Sequence, residues 1–484
     1  MSGRKHCVIL GAGFTGLSCA HFIKKLRPNT RVTMIDSAKR VGGWLKSFRS
    51  PTGALHEVGP RSIRNTYNAR LILNMISELG LEDDLIIPSS AAYDRYLYVN
   101  DKLQKIEMKL WKKGPFEHTM AYYGLKHLYN NVMRELEKDP DYDETIYEFA
   151  VKQFGTEIAE LAFSAVVRGV YSGDIKELSV RSCFPDFVKA LSHNSSFVVG
   201  MMTLQKKMTK HPEFEIISAI GDQLKQKKAK MFALKSGNET LPKTLATDLM
   251  NKDLFEIKLE TKCVKIEHFE QMSPKFKLIL DNHDEIICDD VVSSIPATEL
   301  STLLEKSAEE VTEERTVMSY IKGLKYANVA VVNLEYPSKY VQHVPKAFGY
   351  LVPAVQESNV MGVTFDSFSF PEVPNGSSDI SRFSAMINKC NQGSSDEHYL
   401  NAAVEDCKRH LQIEVDPTFA AVNVNWRCIP QYAVGHSKQI DKLRSLFPEI
   451  NFLGPIFHPP GLVDCALNAH RTAINVCRDY KVTQ

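Results

Sequence analysis

The sequence predicts an α/β fold that combines a discontinuous Rossmann-like domain with a mixed-sheet domain and a mostly helical domain. Three observations predict it. Near the N-terminus a short apolar strand leads into closely spaced glycines, a helical pattern and a second strand. Residues 92–211 carry a mostly helical pattern, and residues 299–440 carry a strand-rich one. Further strand patterns at 254–269 and 289–300 separate these two regions, so we expect the chain to return to its first domain.

The length and composition of the chain exclude some classes of function. It has 484 residues, of which 44% are apolar and 24% charged, as is ordinary for a globular protein of two or three domains. A net charge of +1 gives no reason to expect nucleic acid as a partner, because binding a polyanion needs concentrated positive charge. None of the ten cysteines forms a CxxC pair, so we predict no metal site.

The first 36 residues predict a nucleotide site. A strand at Cys7–Leu10 runs into Gly11, Gly13 and Gly16, and RVTMID forms a second strand that ends at Asp36. The first glycine permits a tight turn, the second lets a pyrophosphate approach the backbone, and the third lets the helix pack closely on the strand. Asp36 is placed to accept hydrogen bonds from ribose hydroxyls. A tight turn that binds nothing is the alternative, but the strands, helix and acid all occur at the expected spacing.

The residues after the second strand favour FAD over NAD. Arg40 is followed by the pair Gly42 and Gly43 and then by Trp44, and a nicotinamide dehydrogenase has no need of this second glycine pair. The stretch resembles an extension of the flavin amine oxidase-like superfamily that wraps the dinucleotide. HEVGPRSIR (His56–Arg64) likewise resembles the superfamily segment beside the flavin ring. These resemblances imply that FAD is the cofactor.

The same resemblance predicts a discontinuous FAD-binding domain. We expect its parts at residues 1–91, 212–298 and 441–484, a helical domain at 92–211, and a substrate-binding domain at 299–440. The strand pattern Leu254–Phe269 would bring Val264 to the adenine side, and Asp289–Leu300 reads as a buried strand that ends at a loop. The predicted cofactor contacts are Gly11, Gly13, Gly16, Asp36, Arg40, Gly42, Gly43, Trp44, Gly59, Pro60, Arg61, Val264, Trp426 and Asp464.

A basic, aromatic segment in the helical domain leaves two interpretations open. Between Lys102 and Arg134 seven basic residues face two acids, with aromatic residues interleaved. They form either a solvated basic face or a surface that attaches the protein to an anionic membrane. The apolar run Phe197–Leu204 is too short to cross a bilayer, which takes roughly 20 residues. We therefore expect a protein that does not cross a membrane, and both interpretations of the basic segment stay open.

Stretches from residue 7 to about 477 together resemble the oxygen-dependent protoporphyrinogen IX oxidase family. They include RVGGW, HEVGPRSIR, SSIPA, VAVVNLEY, FGYLVP, GVTFDS and, most specifically, RGVYSGDIKELSVRSCFP. The resemblance implies oxidation of protoporphyrinogen IX to protoporphyrin IX, a late step of haem synthesis, with molecular oxygen reduced to hydrogen peroxide. It also implies a homodimer attached peripherally to the mitochondrial inner membrane, on its intermembrane-space side.

The resemblance also suggests substrate contacts. Arg95 matches a family position that pairs with a substrate propionate, which suits the arginine fork. Phe348, Gly349 and Leu351 match residues that sandwich the flat macrocycle, and Met386 matches another apolar wall position. The sequence shows no convincing general base, so we expect catalysis to rest on proximity and orientation. Without the resemblance Arg95 reads as a surface residue and the other four as core residues.

Two alternative functions remain open on the sequence. One is a different flavin oxidase or desaturase that acts on an amine or a polyene, although RGVYSG and FGYLVP do not fit it. The other is a non-catalytic protein that binds flavin or porphyrin. The segments HPPG and LKSGNETLP support the second alternative, because they stand where family members carry glycine-rich stretches.

FHPPGLVDC (Phe457–Cys465) contains a histidine, an aspartate and a cysteine, but we do not expect a nucleophile or a metal there. Nothing else in the chain supports acyl transfer, and no other ligands cluster in sequence. A helical stripe begins at Leu462, and the resemblance implies that this helix points its start at the flavin. We expect Asp464 to meet the ribityl side and Cys465 to pack. Pro459 and Pro460 stiffen a loop that relatives build with glycine.

Overall fold

The structure is a computed structural model, and it describes residues 4–106, 115, 116, 118, 122, 142–193, 219–269, 274–304, 313–377 and 379–478. Lys109, Lys112 and Lys113 of the basic segment and the apolar run Phe197–Leu204 lie outside the described residues. Among the helices that are described, none is long and apolar enough to cross a membrane. The described part of the chain also contains no cluster of His, Cys, Asp or Glu that could hold a metal ion.

The strands of the described residues belong to five sheets. They are β1 (His6–Leu10), β2 (Arg31–Ile35), β3 (Ser47–Arg49), β4 (Leu55–Glu57), β5 (Ile63–Arg64), β6 (Leu85–Ile86), β7 (Tyr96–Val99), β8 (Lys102–Lys105), β9 (Met231–Leu234), β10 (Phe255–Lys258), β11 (Cys263–His268), β12 (Phe276–Leu280), β13 (Glu285–Cys288), β14 (Asp290–Ser293), β15 (Tyr326–Pro337), β16 (Gly349–Leu351), β17 (Gly362–Thr364), β18 (Ile380–Ile387), β19 (Phe419–Pro430) and β20 (Ile450–Phe452).

The helices surround these sheets. They are α1 (Phe14–Leu26), α2 (Arg70–Glu78), α3 (Ile146–Phe154), α4 (Thr156–Ile158), α5 (Ser164–Tyr171), α6 (Val180–Cys183), α7 (Pro185–His193), α8 (Ala219–Gln226), α9 (Thr240–Met250), α10 (Ala297–Leu304), α11 (Glu313–Lys322), α12 (Asp366–Ser369), α13 (Asp396–Leu411), α14 (His436–Leu446) and α15 (Leu462–Arg478). A π-helical turn, Ala159–Phe163, joins α4 to α5.

Five parallel strands form the first sheet, in the order β10-β2-β1-β14-β20. In the centre, Ile9 of β1 pairs with Met34 of β2 on one side and with Val292 of β14 on the other. β1 is buried on both faces, which explains why its sequence is continuously apolar. The sheet draws on three distant parts of the chain. All five carboxyl ends point to one edge because the strands are parallel.

Each face of the parallel sheet has its own apolar core. On one face α1, α2, α9 and α15 pack through residues such as Leu17, Ile72, Leu245 and Ala466. The other face is covered by α10, α11, α14 and the antiparallel sheet β11-β12-β13. The predicted strand at 254–269 is thus two strands: β10 joins the parallel sheet and β11 the antiparallel one. The chain turns between them at Glu260, which has φ +49°.

The mixed sheet has seven strands in the order β19-β15-β18-β17-β16-β7-β8. β16 and β7 are parallel, and the other neighbours are antiparallel. The strand patterns at YANVAVVNLEY, FGYLVP and RFSAMI correspond to β15, β16 and β18. The sheet differs from the prediction at β7 and β8, which come from the segment expected to be helical. Tyr96–Val99 favours a strand, and Asn100 and Asp101, both with positive φ, form the hairpin turn.

Candidate active site

A cavity of about 640 Å³ lies between the carboxyl edge of the parallel sheet and the mixed sheet. Gly11, Asp36 and Ser294, which follow β1, β2 and β14, line one side. Val331 and Met386, on β15 and β18, line the other. Ligands of open α/β sheets bind at this carboxyl edge, where the loops after the strands diverge. One cavity therefore joins the predicted nucleotide loop to the predicted substrate sheet.

The three glycines of the first loop differ in what surrounds them. A Cβ at Gly16 would lie 2.1 Å from the Gly11 carbonyl oxygen, and a Cβ at Gly11 would lie 2.5 Å from Ser294 Oγ. At Gly13 the nearest protein atom would be Gly43 Cα, at 3.8 Å. Gly11 and Gly16 therefore shape the loop itself. Gly13 instead leaves bare backbone at the cavity wall, where α1 begins.

The second glycine pair packs directly on the first loop. Gly42 N–H donates to the Ala12 carbonyl oxygen at 2.9 Å, and Gly13 and Gly42 form a parallel bridge. Gly42 and Gly43 have φ values of +99° and +58°, which glycine adopts without strain. Both line the cavity. The two glycine segments are thus one structural unit. Together they form a flavin cradle, the glycine-lined wall of the cavity, which is larger than the first loop alone.

Arg40 stabilises the backbone of the second glycine turn. Its Nη1 donates to the carbonyl oxygens of Val41 and Leu45, each at 3.1 Å, and its Nη2 donates to that of Gly43. Glu239 Oε1 lies 3.6 Å from Arg40 Nη1. Arg40 is not among the residues that line the cavity, so it contributes by fixing the backbone that does.

Asp36 lines the cavity at the end of β2. Its Oδ2 accepts from Ala12 N–H at 2.7 Å, and its Oδ1 accepts from Ala38 N–H at 2.8 Å. A carboxylate has about four acceptor positions, so each oxygen can still accept a further hydrogen bond. The amide bonds fix the carboxylate, and its remaining positions suit hydroxyl donors.

The segment Gly59–Arg61 lines the cavity beside Trp44. A Cβ at Gly59 would lie 2.0 Å from the Trp44 carbonyl oxygen, so only glycine fits there. Arg61 Nη2 donates to the Glu57 carbonyl oxygen at 3.3 Å, and its Nε lies 3.5 Å from Asp366 Oδ1. The guanidinium therefore lies between its own loop and the start of α12, with its charge balanced by a carboxylate.

The loop before α15 closes another side of the cavity, through Pro455, Ile456, Pro460, Leu462 and Cys465. Tyr432 OH holds this loop by donating to the carbonyl oxygens of Pro455 and His458. Burial lowers the pKa of His458 to about 4 and raises that of the Cys465 thiol to about 12. Both groups are thus neutral at physiological pH. These two groups therefore form neither a thiolate nucleophile nor a charged acid–base pair.

Comparison with known proteins agrees with this geometry. Residues 14–464 match the family described as flavin containing amine oxidoreductase. The chain is 30% identical to human protoporphyrinogen oxidase, over 97% of this chain and 98% of that protein. It is 26% identical to the coproporphyrinogen III oxidase of Bacillus subtilis, over 96% of each chain. A solved structure of a putative protoporphyrinogen oxidase from Exiguobacterium is 19% identical, covers 99% of each chain and gives a TM-score of 0.75.

The chain belongs to the flavin-containing amine oxidoreductase family. It is an oxidoreductase with an FAD cofactor, and the predicted resemblance to protoporphyrinogen IX oxidases is confirmed. The geometry fits FAD. Gly13 leaves bare backbone where a pyrophosphate would approach, Asp36 offers acceptors to ribose, and the cavity continues past Gly59 and Arg61 towards the mixed sheet.

The predicted substrate residues of this flavoprotein fall into two groups. Phe348, Leu351 and Met386 line the cavity, but Gly349 and Arg95 do not. A Cβ at Gly349 would lie 2.1 Å from the Val363 carbonyl oxygen, so glycine is needed there for strand pairing. The Arg95 guanidinium stacks on the Phe348 ring, 4.2 Å from its centre, and donates to the Ala92 and Asp94 carbonyl oxygens. Arg95 therefore supports a wall residue.

Five predicted cofactor contacts are not among the residues that line the cavity: Gly16, Arg40, Val264, Trp426 and Asp464. Val264 and Trp426 are 45% and 39% exposed. Their chain neighbours Cys263, Asn425 and Arg427 line the cavity instead. On α15 the lining residues are Leu462 and Cys465, which flank Asp464. Successive side chains of a strand point to opposite faces, so an error of one position reverses the side chain's direction.

Several lining residues did not follow from the motifs. They include Arg168, Met361, Thr364, Asn425 and Ile429. Arg168 lies in RGVYSG, the most specific stretch of the resemblance, but that stretch does not tell which of its side chains faces a cavity. Asn425 Nδ2 donates to the Val58 carbonyl oxygen at 3.3 Å and so ties β19 to the flavin-side loop. That contact joins distant segments and has no local sequence signal.

The charged groups of the cavity suit positioning more than proton transfer. No histidine is among the described residues that line it. Of its two carboxylates, Asp36 is held by backbone amides, and Glu299 pairs with Arg427 at 3.4 Å. The walls at the mixed sheet are mainly apolar. The described lining residues therefore suit the orientation of a ligand more than the acceptance of a proton.

Proposed function

We propose that the protein is an oxygen-dependent protoporphyrinogen oxidase, which converts protoporphyrinogen IX to protoporphyrin IX and reduces oxygen to hydrogen peroxide. One observation carries the proposal: a single cavity joins the flavin cradle to an apolar chamber whose walls include Phe348, Leu351 and Met386. A flat, apolar macrocycle suits such walls. Similarity to the human protoporphyrinogen oxidase over almost the whole chain supports the same reaction.

Residues on one side of the cavity would hold FAD. Gly13 admits the pyrophosphate to the start of α1, and Asp36 accepts from ribose hydroxyls. Gly42, Gly43 and Trp44 flank the same end, and Gly59, Pro60 and Arg61 lie towards the ring. Bound FAD supplies the hydride acceptor. Val264, Trp426 and Asp464 remain predicted FAD contacts, because their neighbours in the chain line the cavity.

The substrate walls would act by orientation. Phe348, Leu351 and Met386 present apolar surface that excludes water and fixes the ring plane, which raises the effective concentration of the reacting carbon at the acceptor. Arg95 stacks on Phe348 and keeps that ring in place. Gly349 keeps the wall strand close to its neighbour. We propose that the pyrrole N–H proton passes to water, because the described cavity offers no free base.

We propose the domain division predicted from the sequence. A Rossmann-like FAD-binding domain would comprise residues 1–91, 212–298 and 441–484, with the substrate-binding domain at 299–440. The five-stranded parallel sheet, built from the first and third of these regions and from 255–293, supports it. The helical domain at 92–211 would carry the membrane-facing basic segment, although β7 and β8 of that region belong to the mixed sheet.

We also propose a homodimer attached peripherally to the mitochondrial inner membrane, on the intermembrane-space side. Resemblance to the family supports this, and no helix of the described part could cross a bilayer. Cosedimentation with anionic vesicles would test the attachment. Neutralising Lys109, Lys112 and Lys113 should reduce binding, and undiminished binding would contradict a role for these lysines.

Coproporphyrinogen III is a second candidate substrate. Relatives from Bacillus subtilis and Staphylococcus aureus, 26% and 25% identical, are named coproporphyrinogen III oxidases. Parallel assays of the two porphyrinogens decide between them. We expect a higher kcat/KM for protoporphyrinogen IX, since the chamber walls are mainly apolar; the reverse order would favour coproporphyrinogen III.

An anaerobic experiment tests the proposed reaction. Holoprotein in more than about threefold excess, so that three flavins can accept the six electrons of one macrocycle, is mixed with protoporphyrinogen IX without oxygen. It should lose the visible absorption of oxidised flavin while porphyrin fluorescence appears, and admitting air should restore the absorption. An amine such as putrescine is the control for an amine oxidase and should cause no bleaching. Bleaching by the amine alone would contradict the proposal.

A further inference from the structure

Arg168 differs from the other arginines of the cavity in making no ion pair with a described residue; the charge of Asp174 acts on it from a greater distance. The residue is only 8% exposed and lines the cavity from the last turn of α5. Arg61 is paired with Asp366, and Arg427 with Glu299. Arg168 makes no ion pair with any described residue. A buried cation without a counter-ion costs several kcal/mol, so its retention calls for an explanation.

One edge of the Arg168 guanidinium is already occupied. Nη1 donates to the carbonyl oxygens of Val352 and Pro353, at 3.0 and 3.2 Å. These carbonyls directly follow Leu351, a wall residue on β16. The two bonds use both hydrogens of Nη1 and set the orientation of the whole planar group. The guanidinium is therefore fixed at the end of the apolar wall.

The other edge of the guanidinium remains free. Nε and Nη2 have no hydrogen-bond partner among the described residues, yet neither is among the polar atoms that are shielded from solvent without a partner. Since Arg168 lines the cavity, these donors reach its open space. The Nε–Nη2 edge presents two parallel N–H groups, the arrangement that binds a carboxylate bidentately. The geometry of this edge favours an anion, and so does a buried charge that forms no ion pair with a described residue.

We propose that Arg168 binds a carboxylate of the substrate through its Nε–Nη2 edge and thereby selects carboxylated macrocycles. The inference rests on the proposed function, because it takes the ligand to be a porphyrinogen with propionate side chains. Arg95, the residue that sequence resemblance favours for this contact, stacks behind Phe348 and does not line the cavity. Binding at Arg168 would place one propionate at the end of β16, with the ring lying along Leu351.

The test compares the acid and the ester of one ligand. Dissociation constants of protoporphyrin IX and its dimethyl ester are measured with the FAD-loaded protein and with Arg168→Gln, by quenching of porphyrin fluorescence. Glutamine keeps two polar N–H donors and removes the charge, and its shorter side chain ends near the position of Arg168 Nε. We expect the Kd of the acid to rise roughly 10- to 100-fold and that of the ester to stay within about twofold.

Controls separate this role from a packing role. Arg168→Lys keeps the charge without the fork and should recover part of the affinity for the acid only. Arg49→Gln, at an exposed arginine that donates to the Gly53 carbonyl oxygen, should change neither Kd. Equal weakening of acid and ester, or no change in either, would overturn the inference. These binding measurements need no turnover, so an inactive wild-type protein would refute the proposed function without deciding the role of Arg168.

Discussion

At the residue scale, the glycines of the first loop serve two purposes that a motif cannot distinguish. Gly16 is required because any side chain would overlap the Gly11 carbonyl oxygen, whereas Gly13 has room within the protein and faces the cavity. The spacing of the motif predicted the loop correctly because turn geometry is local. Which glycine serves the fold and which serves the ligand depends on distant contacts.

We predict that Gly16→Ala mainly lowers stability and that Gly13→Ala mainly weakens FAD binding. A Cβ at Gly16 lies 2.1 Å from the Gly11 carbonyl oxygen, so Gly16→Ala should destabilise the flavin-free protein by about 3 kcal/mol or more. Gly13→Ala should leave that stability almost unchanged and weaken FAD binding at least about tenfold. Denaturant unfolding and FAD titration measure the two effects. Equal behaviour of the variants in both measurements would contradict the separation of roles.

Asp464 gives a pH prediction. Burial raises the pKa of this carboxyl from 3.8 to about 6, against the lowering effect of Arg64. The folded protein therefore holds the proton more tightly than the unfolded chain, and the free energy of unfolding falls as the pH rises from about 4 to about 6. The side chain of Asp464→Asn cannot ionise. As the pH rises from about 4.5 to about 8, the free energy of unfolding of this variant should therefore increase by about 2 kcal/mol relative to that of wild type.

Unfolding of flavin-free wild type and Asp464→Asn at both pH values measures this difference. If the difference in the free energy of unfolding between the two proteins does not change with pH, the surroundings of Asp464 do not raise the pKa of its carboxyl.

At the element scale, the loop between β20 and α15 was only partly predictable from the sequence. The helix after FHPPGLVDC was predictable from its apolar stripe, and it begins at Leu462. The anchor of the loop was not predictable, because Tyr432 comes from a different part of the chain. Pro460 lines the cavity, while His458 is turned inward and neutral.

We predict that Tyr432→Phe loosens this loop. The hydroxyl is the donor to two carbonyl oxygens, of Pro455 and His458, and its removal leaves both without it. The free energy of unfolding should fall by about 1–3 kcal/mol, and FAD should dissociate faster. Urea unfolding and flavin release measure the effects. Tyr340→Phe, at an exposed tyrosine, is the matched control; similar losses in both variants would contradict the anchoring role.

The β7–β8 hairpin was not predicted, because it lies in a region whose sequence pattern is mostly helical. Its strands lie between a segment with nucleotide-site signals and one with helical signals, and each strand has only four residues. The pairing that makes it part of the mixed sheet is with β16, more than 200 residues later. Short strands of this kind are decided by tertiary partners more than by local preference.

At the scale of the whole molecule, the cavity collects residues from loops and strands between Leu10 and Cys465. The nucleotide half was predictable since its contacts lie in two contiguous stretches with strict glycine requirements. The substrate half was harder, because which wall side chains face the cavity depends on the register of the mixed sheet. Phe348, Leu351 and Met386 were identified by resemblance, whereas Arg168, Met361 and Thr364 were not.

This assembly predicts a strong effect of flavin on stability. FAD would touch several segments that otherwise meet only across the cavity, and it has no such site in the unfolded chain. At a free FAD concentration of 100 times Kd, binding should stabilise the protein by about 2.7 kcal/mol. Thermal melts at increasing FAD concentration should show a rising Tm, and a Tm that does not respond to FAD would contradict a cofactor bound in this cavity.

The aerobic turnover of protoporphyrinogen IX by the FAD-loaded protein tests the central claim most directly. Porphyrin fluorescence should rise well above the autoxidation blank, with three molecules of hydrogen peroxide formed for each porphyrin, since six hydrogens leave the macrocycle in pairs. Flavin-loaded protein that produces porphyrin no faster than the blank would contradict the account.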